Sequence, residues 1–95
     1  MEKKLDNQKI FDSNKATLQD LQLAIEQAVR NFDNHTGTVE KDSYTVVSIW
    51  NLLEEDEKNS TKKIVEYFMD LEVPESIRNV DTIETIDKIK KASFL

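Results

Sequence analysis

The sequence predicts an all-α fold, a small single-domain bundle of about four helices, and three observations carry that prediction. One glycine and one proline in 95 residues leave too few turn-makers for a sandwich of many short strands. Lys, Glu, Asp, Asn, Ile and Leu dominate, a composition that suits amphipathic helices. The hydrophobic share of 38% is modest, yet it recurs at helical period, which separates the chain from a disordered one. A chain of this length buries roughly 60–65% of its unfolded surface, so residues 1–95 are expected to form one domain of modest stability.

Residues 1–13 alternate charges around Leu5, Ile10 and Phe11 without a sustained period, and they read as a loosely packed arm or short helix. From Thr17 the pattern sharpens. Thr17 with Asp20 makes a cap, and Leu18, Leu21, Ile25, Ala28, Val29 and Phe32 fall on one helical face. That helix is expected to stop at Asp33-Asn34-His35-Thr36-Gly37, where Asn favours a turn and Gly37 can take the left-handed conformation.

The stretch from Asp42 to Glu57 holds the only tryptophan and the densest apolar run. As a helix it is capped by Asp42 or Ser43 and presents Val46, Ile49, Trp50 and Leu53 on one face, which Val47 and Leu52 widen until the helix is expected to be buried on most sides. As a strand, Tyr44-Thr45-Val46-Val47 would pair with Thr38-Val39 across a turn. The helix is favoured, because Trp50-Asn51-Leu52-Leu53-Glu54-Glu55 continues it without a breaker.

The acids at positions 54–57 sit badly at a helix C-terminus, so they belong to a linker or to the lead-in of the next helix. Asn59 or Ser60 can cap that helix, with Ile64, Val65, Phe68 and Leu71 inward. A 4-3 spacing nevertheless runs through positions 46, 50, 53, 57, 60, 64, 67 and 71, so one long helix over 43–72 with a polar waist stays open. Val73-Pro74 closes the segment, and Pro74 opens a short turn through Glu75-Ser76-Ile77. Asp81 then caps a last helix, with Glu84 three residues on. Ile83, Ile86 and Ile89 form its inner side, and Lys88, Lys90 and Lys91 suit its C-terminal dipole.

Charge narrows the function classes. A net charge of −6 disfavours nucleic acid, which demands clustered Lys and Arg. Residues 38–57 hold Glu40, Asp42, Glu54, Glu55, Asp56 and Glu57 against Lys41 alone, so nearly the whole imbalance sits in one region. The absence of cysteine excludes disulfides, zinc-thiolate sites and a thiol nucleophile. No apolar run reaches the ~20 residues of a membrane span, and the expected setting is cytoplasmic.

Catalytic patterns are missing as well. His35 stands alone in a polar turn, without a second His or a Cys to build a metal set. An EF-hand register with Gly37 sixth puts Phe32 first and Ser43 last, which supplies no bidentate carboxylate. Consecutive carboxylates at 54–57 point around a helix and cannot converge on one ion. No phosphate loop, dinucleotide fingerprint, nucleophile elbow or zinc-protease motif occurs. The expectation is therefore a protein that is not an enzyme and needs no cofactor or metal.

Two short segments carry a family resemblance. Asp42-Ser43 followed by Tyr44-Thr45-Val46-Val47 resembles the Asp-Ser step of acyl and peptidyl carrier proteins, acidic four-helix domains of about this size. Leu71-Glu72-Val73-Pro74-Glu75-Ser76, through Thr82-Ile83 to Ile89, is similar to the end of such domains. The resemblance implies phosphopantetheine on Ser43 at the head of an acidic recognition helix. The register departs from the family: Ser43 to Pro74 is about a dozen residues too long, and the usual glycine before Asp-Ser is absent. A helix cap is the simpler role for Ser43.

The leading expectation is a stoichiometric protein-binding module, of the inhibitor, antitoxin, immunity-type or adaptor kind. It would meet a basic partner protein through Glu54, Glu55, Asp56 and Glu57, with Glu40 and Asp42 as outer members. A divergent carrier protein is the alternative. Self-association through the 4-3 spacing around Trp50, Leu53, Ile64 and Leu71 is a third.

Overall fold

Helix starts in this chain are set by side chains or dipoles that satisfy free backbone N–H groups. The computed structural model of the chain describes residues 15–92; the expected arm over 1–13 and the end of the tail, residues 93–95, lie outside them. Among the described residues the order is α1 (Leu18–Asp33), α2 (Val39–Asn51), α3 (Glu55–Leu71), a 3-10 turn (Glu75–Ile77) and α4 (Thr82–Lys91), with no strand. The fold is all-α, with four α-helices among the described residues.

Thr17 caps α1 as its sequence predicts. Its hydroxyl accepts from the Asp20 N–H at 3.2 Å, and the Asp20 carboxylate accepts from the Thr17 N–H at 2.9 Å. Leu21, Ile25 and Ala28 are buried, with Leu18, Val29 and Phe32 packed around them. The helix ends at Asn34, and both His35 (φ 57°) and Gly37 (φ 67°) adopt the left-handed region that turns the chain back.

Two boundaries differ from expectation. α2 begins at Val39, not at Asp42 or Ser43, because the Thr38 hydroxyl accepts from the Lys41 N–H at 3.2 Å and Glu40 and Asp42 fill the first turn. Tyr44 to Val47 is thus helical, and the strand reading of that stretch and of Thr38-Val39 falls. α3 begins at Glu55, not at Asn59 or Ser60. No side chain caps it; the acids Glu55, Asp56 and Glu57 in its first turn complement the positive end of the helix instead.

The stretch 43–72 is two helices, and the joint has a physical cause. The N–H groups of Leu52 and Leu53 bond back to the Ile49 and Trp50 carbonyls at 3.0 and 3.1 Å, closing α2 tightly. Leu53 then enters the core, and Glu54 takes an extended conformation before α3. The Trp50 indole N–H donates to the Lys58 carbonyl at 3.0 Å, and the Lys58 ammonium sits 5.1 Å from the ring centroid. One side chain therefore bridges the corner.

α2 is the central element, packed on α1 and on α3, with α4 laid against α3. The Ala16 N–H donates to the Leu52 carbonyl at 3.1 Å, so the start of α1 lies beside the end of α2 and the two run antiparallel. The core joins Leu21, Ile25 and Ala28 to Val46 and Leu53, to Ile64, Val65, Phe68 and Leu71, and to Ile86 and Ile89. Burying each of these side chains other than Ala28 stabilises by about 1.5–3 kcal/mol. Asp81 caps α4 by accepting from the Glu84 N–H at 3.2 Å. Ile83 departs from the expected inner face: it is 72% exposed, and Thr85 takes the buried place beside Ile86. Among the described residues no helix is long and apolar enough to cross a membrane.

Candidate partner-binding surface

The six acids singled out in the sequence do not form one patch. Glu40 and Asp42 stand in the first turn of α2, whereas residues 54–57 cap and begin α3 beyond its far end. At 1.5 Å per residue, the 13 residues of α2 hold the two groups about 20 Å apart.

The N-terminal group is engaged within the chain. The Glu40 carboxylate accepts from the Arg78 guanidinium and from the Glu75 N–H at 3.0 Å. Arg78 is itself interior, with a side chain 3% exposed. It donates further to the carbonyls of Leu71 (3.2 Å) and Val73 (2.9 Å) and to the Thr82 hydroxyl (2.8 Å). This clamp ties the head of α2 to the segment between α3 and α4. Glu40's own backbone N–H, and then Arg78 and the Glu75 N–H, hold its carboxyl below the ordinary carboxylate range, against an opposing desolvation. Asp42 accepts from the Asn31 amide at 3.2 Å and so joins α2 to α1.

The C-terminal group faces solvent. Glu54, Glu55 and Asp56 are exposed, and Glu57 is half-buried. Glu54 meets Lys15 at 3.8 Å across two exposed side chains, a pair of the weak surface kind. The Glu57 carbonyl accepts from the Thr61 hydroxyl at 2.8 Å, and the Asp56 carboxylate from the Glu57 N–H at 3.0 Å. Part of this acidity is spent on the helix start, where each charge contributes about 0.3–1 kcal/mol. Among the described residues no three of His, Cys, Asp and Glu converge as a metal set.

A shallow groove of about 640 Å³ opens between α1 and α2. Ala16, Leu23, Ala24, Ile49 and Leu52 give it an apolar floor, and Lys15 and Asp20 stand at its α2–α3 end. Leu23 and Leu52 are 53% and 39% exposed. Because Lys15 both lines the groove and reaches Glu54, the groove and the acidic turn of α3 are continuous. A second hollow of about 430 Å³ lies over the clamp, between Phe32, Val39 and Ile83. Beneath it the Arg78 Nε is buried without a hydrogen-bond partner among the described residues.

Ser43 occupies the fifth position of α2 and is 1% exposed. It is neither the cap nor the solvent-facing head of the helix, and a serine that carries a prosthetic arm must be reachable by the enzyme that loads it. Leu53, Ile64 and Leu71, three of the residues behind the 4-3 spacing, are consumed inside the chain's own core. The sequence reading missed the groove, although Leu23 lies about 200° around α1 from Leu21 at 100° per residue and so falls off the Leu21-Ile25-Ala28 stripe. It missed Arg78 too, which has no local signal. Compared with protein-family models, curated proteins and solved structures, the chain matches none.

Proposed function

We propose that the chain is a stoichiometric protein-binding module that meets a basic partner surface through the acidic first turn of α3. One observation supports this most: Glu54, Glu55 and Asp56 are exposed together, and among the described residues only Glu54 has an ion pair, a long one to Lys15. An uncompensated cluster of one sign raises the rate of encounter with the opposite sign and fixes orientation. Glu40 and Asp42, being engaged by Arg78 and Asn31, act in the fold rather than in the contact. The reading covers inhibitor, antitoxin, immunity-type and adaptor roles, none of which requires a cofactor.

The test is affinity capture from an extract of the native source with the immobilised full chain and with its E55K/D56K variant, at low and at raised salt. A partner retained by the first chain, lost by the variant and weakened by salt is the expected result. A partner held equally by both chains and indifferent to salt overturns the reading.

A further inference from the structure

We infer that the groove between α1 and α2 docks one amphipathic, basic helical segment of a partner protein, whose cationic flank lies on the acidic turn of α3. This inference rests on the protein-binding reading above and adds the shape and chemistry of what is bound. Three features of the groove carry it.

The first is apolar surface that the described residues leave open. Leu23 and Leu52 are exposed leucines on two different helices, and they meet in one groove over Ala16, Ala24 and Ile49. Scattered exposed leucines are ordinary, but two that share a concave strip between parallel ridges match the helix-in-groove mode of recognition.

The second is length. The lining runs from Ala16, just before α1, to Gln27 on it, about 16 Å even at the helical rise of 1.5 Å per residue. That accommodates about three turns of helix, with apolar residues at i, i+3 or i+4, and i+7.

The third is charge, which decides among occupants. Asp20 lies at the groove, and Glu54, Glu55 and Asp56 follow directly beyond Leu52 and Leu53, against Lys15 and the half-buried Lys58 held over the Trp50 ring. A second copy of this chain across a two-fold axis would bring that acidic rim against itself. A segment with Lys or Arg beside its apolar ridge meets the rim with complementary sign.

The experiment uses the full chain and a labelled 14-residue capped peptide of Leu and Lys, with Leu at i, i+3, i+4 and i+7. Two control peptides accompany it, a scrambled one of the same composition and one with Gln for Lys. Fluorescence polarisation gives the affinities, and amide shifts locate the site. The expected result is binding that moves the amides of Leu23, Ile49 and Leu52. It should weaken about tenfold or more for the scrambled peptide, for the Gln peptide, and for the L23S/L52S variant. Both leucines are exposed, so that variant keeps the fold, and the scrambled peptide tests the native chain in any case.

Equal binding of the scrambled peptide and indifference to L23S/L52S would remove the groove while leaving the acidic-turn reading intact. Indifference to E55K/D56K and to the Gln peptide would instead remove the charge on which both rest. Binding that emerges only after Ile10→Ser and Phe11→Ser would show the chain's own residues in the groove. Dimerisation lost in L23S/L52S, without peptide binding, would show a second copy. Either of these last results overturns the proposal.

Discussion

The two ends of α2 carry the same sequence signal and put it to different uses. At the N-terminal end Glu40 is bound by a buried arginine 38 residues along the chain, and Asp42 by an amide on α1. At the C-terminal end Glu54, Glu55 and Asp56 face water, with one long ion pair among the described residues. Acidity alone therefore does not mark a contact surface. What separates the two ends is whether the fold brings a partly buried hydrogen-bonding partner to the carboxylate, and that is decided by tertiary structure.

The largest way to break the comparison is Arg78→Ala, which strips Glu40 of its cation and leaves the Leu71 and Val73 carbonyls unpaired. A loss of about 2–3 kcal/mol is expected in urea unfolding, tempered because the carboxylate is one-third open to solvent (32%). At the other end Trp50→Phe removes the indole bond to the Lys58 carbonyl and should cost about 1 kcal/mol by circular dichroism melts.

The clamp also predicts how acid acts. The folded-state carboxyl of Glu40 titrates below its unfolded value. Its contribution is therefore complete above the ordinary glutamate range, about 4.3, and is lost as pH falls through the lowered value. Glu40→Gln should be less stable at neutral pH and show a shallower loss in that acid window; an unchanged acid limb would remove Glu40 as its source. Smaller still is the effect of E55K/D56K on folding, about 0.5–1 kcal/mol through the helix dipole, even though the same change should abolish partner capture. Smallest is the expected effect of coenzyme A with a broad-specificity phosphopantetheinyl transferase: no gain in intact mass, because the Ser43 hydroxyl is enclosed. A gain lost in Ser43→Ala would restore the carrier reading.

The helices were legible because their inward residues repeat at helical spacing and because Thr17 and Asp81 announce their caps. The starts of α2 and α3 were harder to read. Thr38 lacks the acidic partner three residues on that completes a capping box, having Lys41 there. The α2–α3 corner contains neither glycine nor proline, and the apolar 4-3 pattern runs straight through it; only the burial of Leu53 and the reach of Trp50 decide for a break. Of the candidate site, the exposed acids at 54–56 were readable as charge. The withdrawal of Glu40 was not, since its partner Arg78 is remote in sequence and sits in a segment of no regular period. Ile83 misled for a related reason: with α4 attached mainly to α3, only a narrow stripe of it is covered.

The succession of packing, α1 on α2, α2 on α3 and α3 on α4, has a kinetic consequence. Each helix meets chiefly its neighbour in sequence, so little loop entropy opposes assembly, and chains of such low contact order refold in microseconds to milliseconds. Two contacts are exceptions, the exposed Lys90–Asp33 pair, closing 57 residues, and the Glu40–Arg78 bond, closing 38 around a buried arginine. The Glu40–Arg78 bond belongs to the last stage of folding, after the helices have docked. Its loss should then be felt as faster unfolding at a nearly constant refolding rate, which makes the clamp a determinant of how long the native state lasts rather than of how quickly it forms.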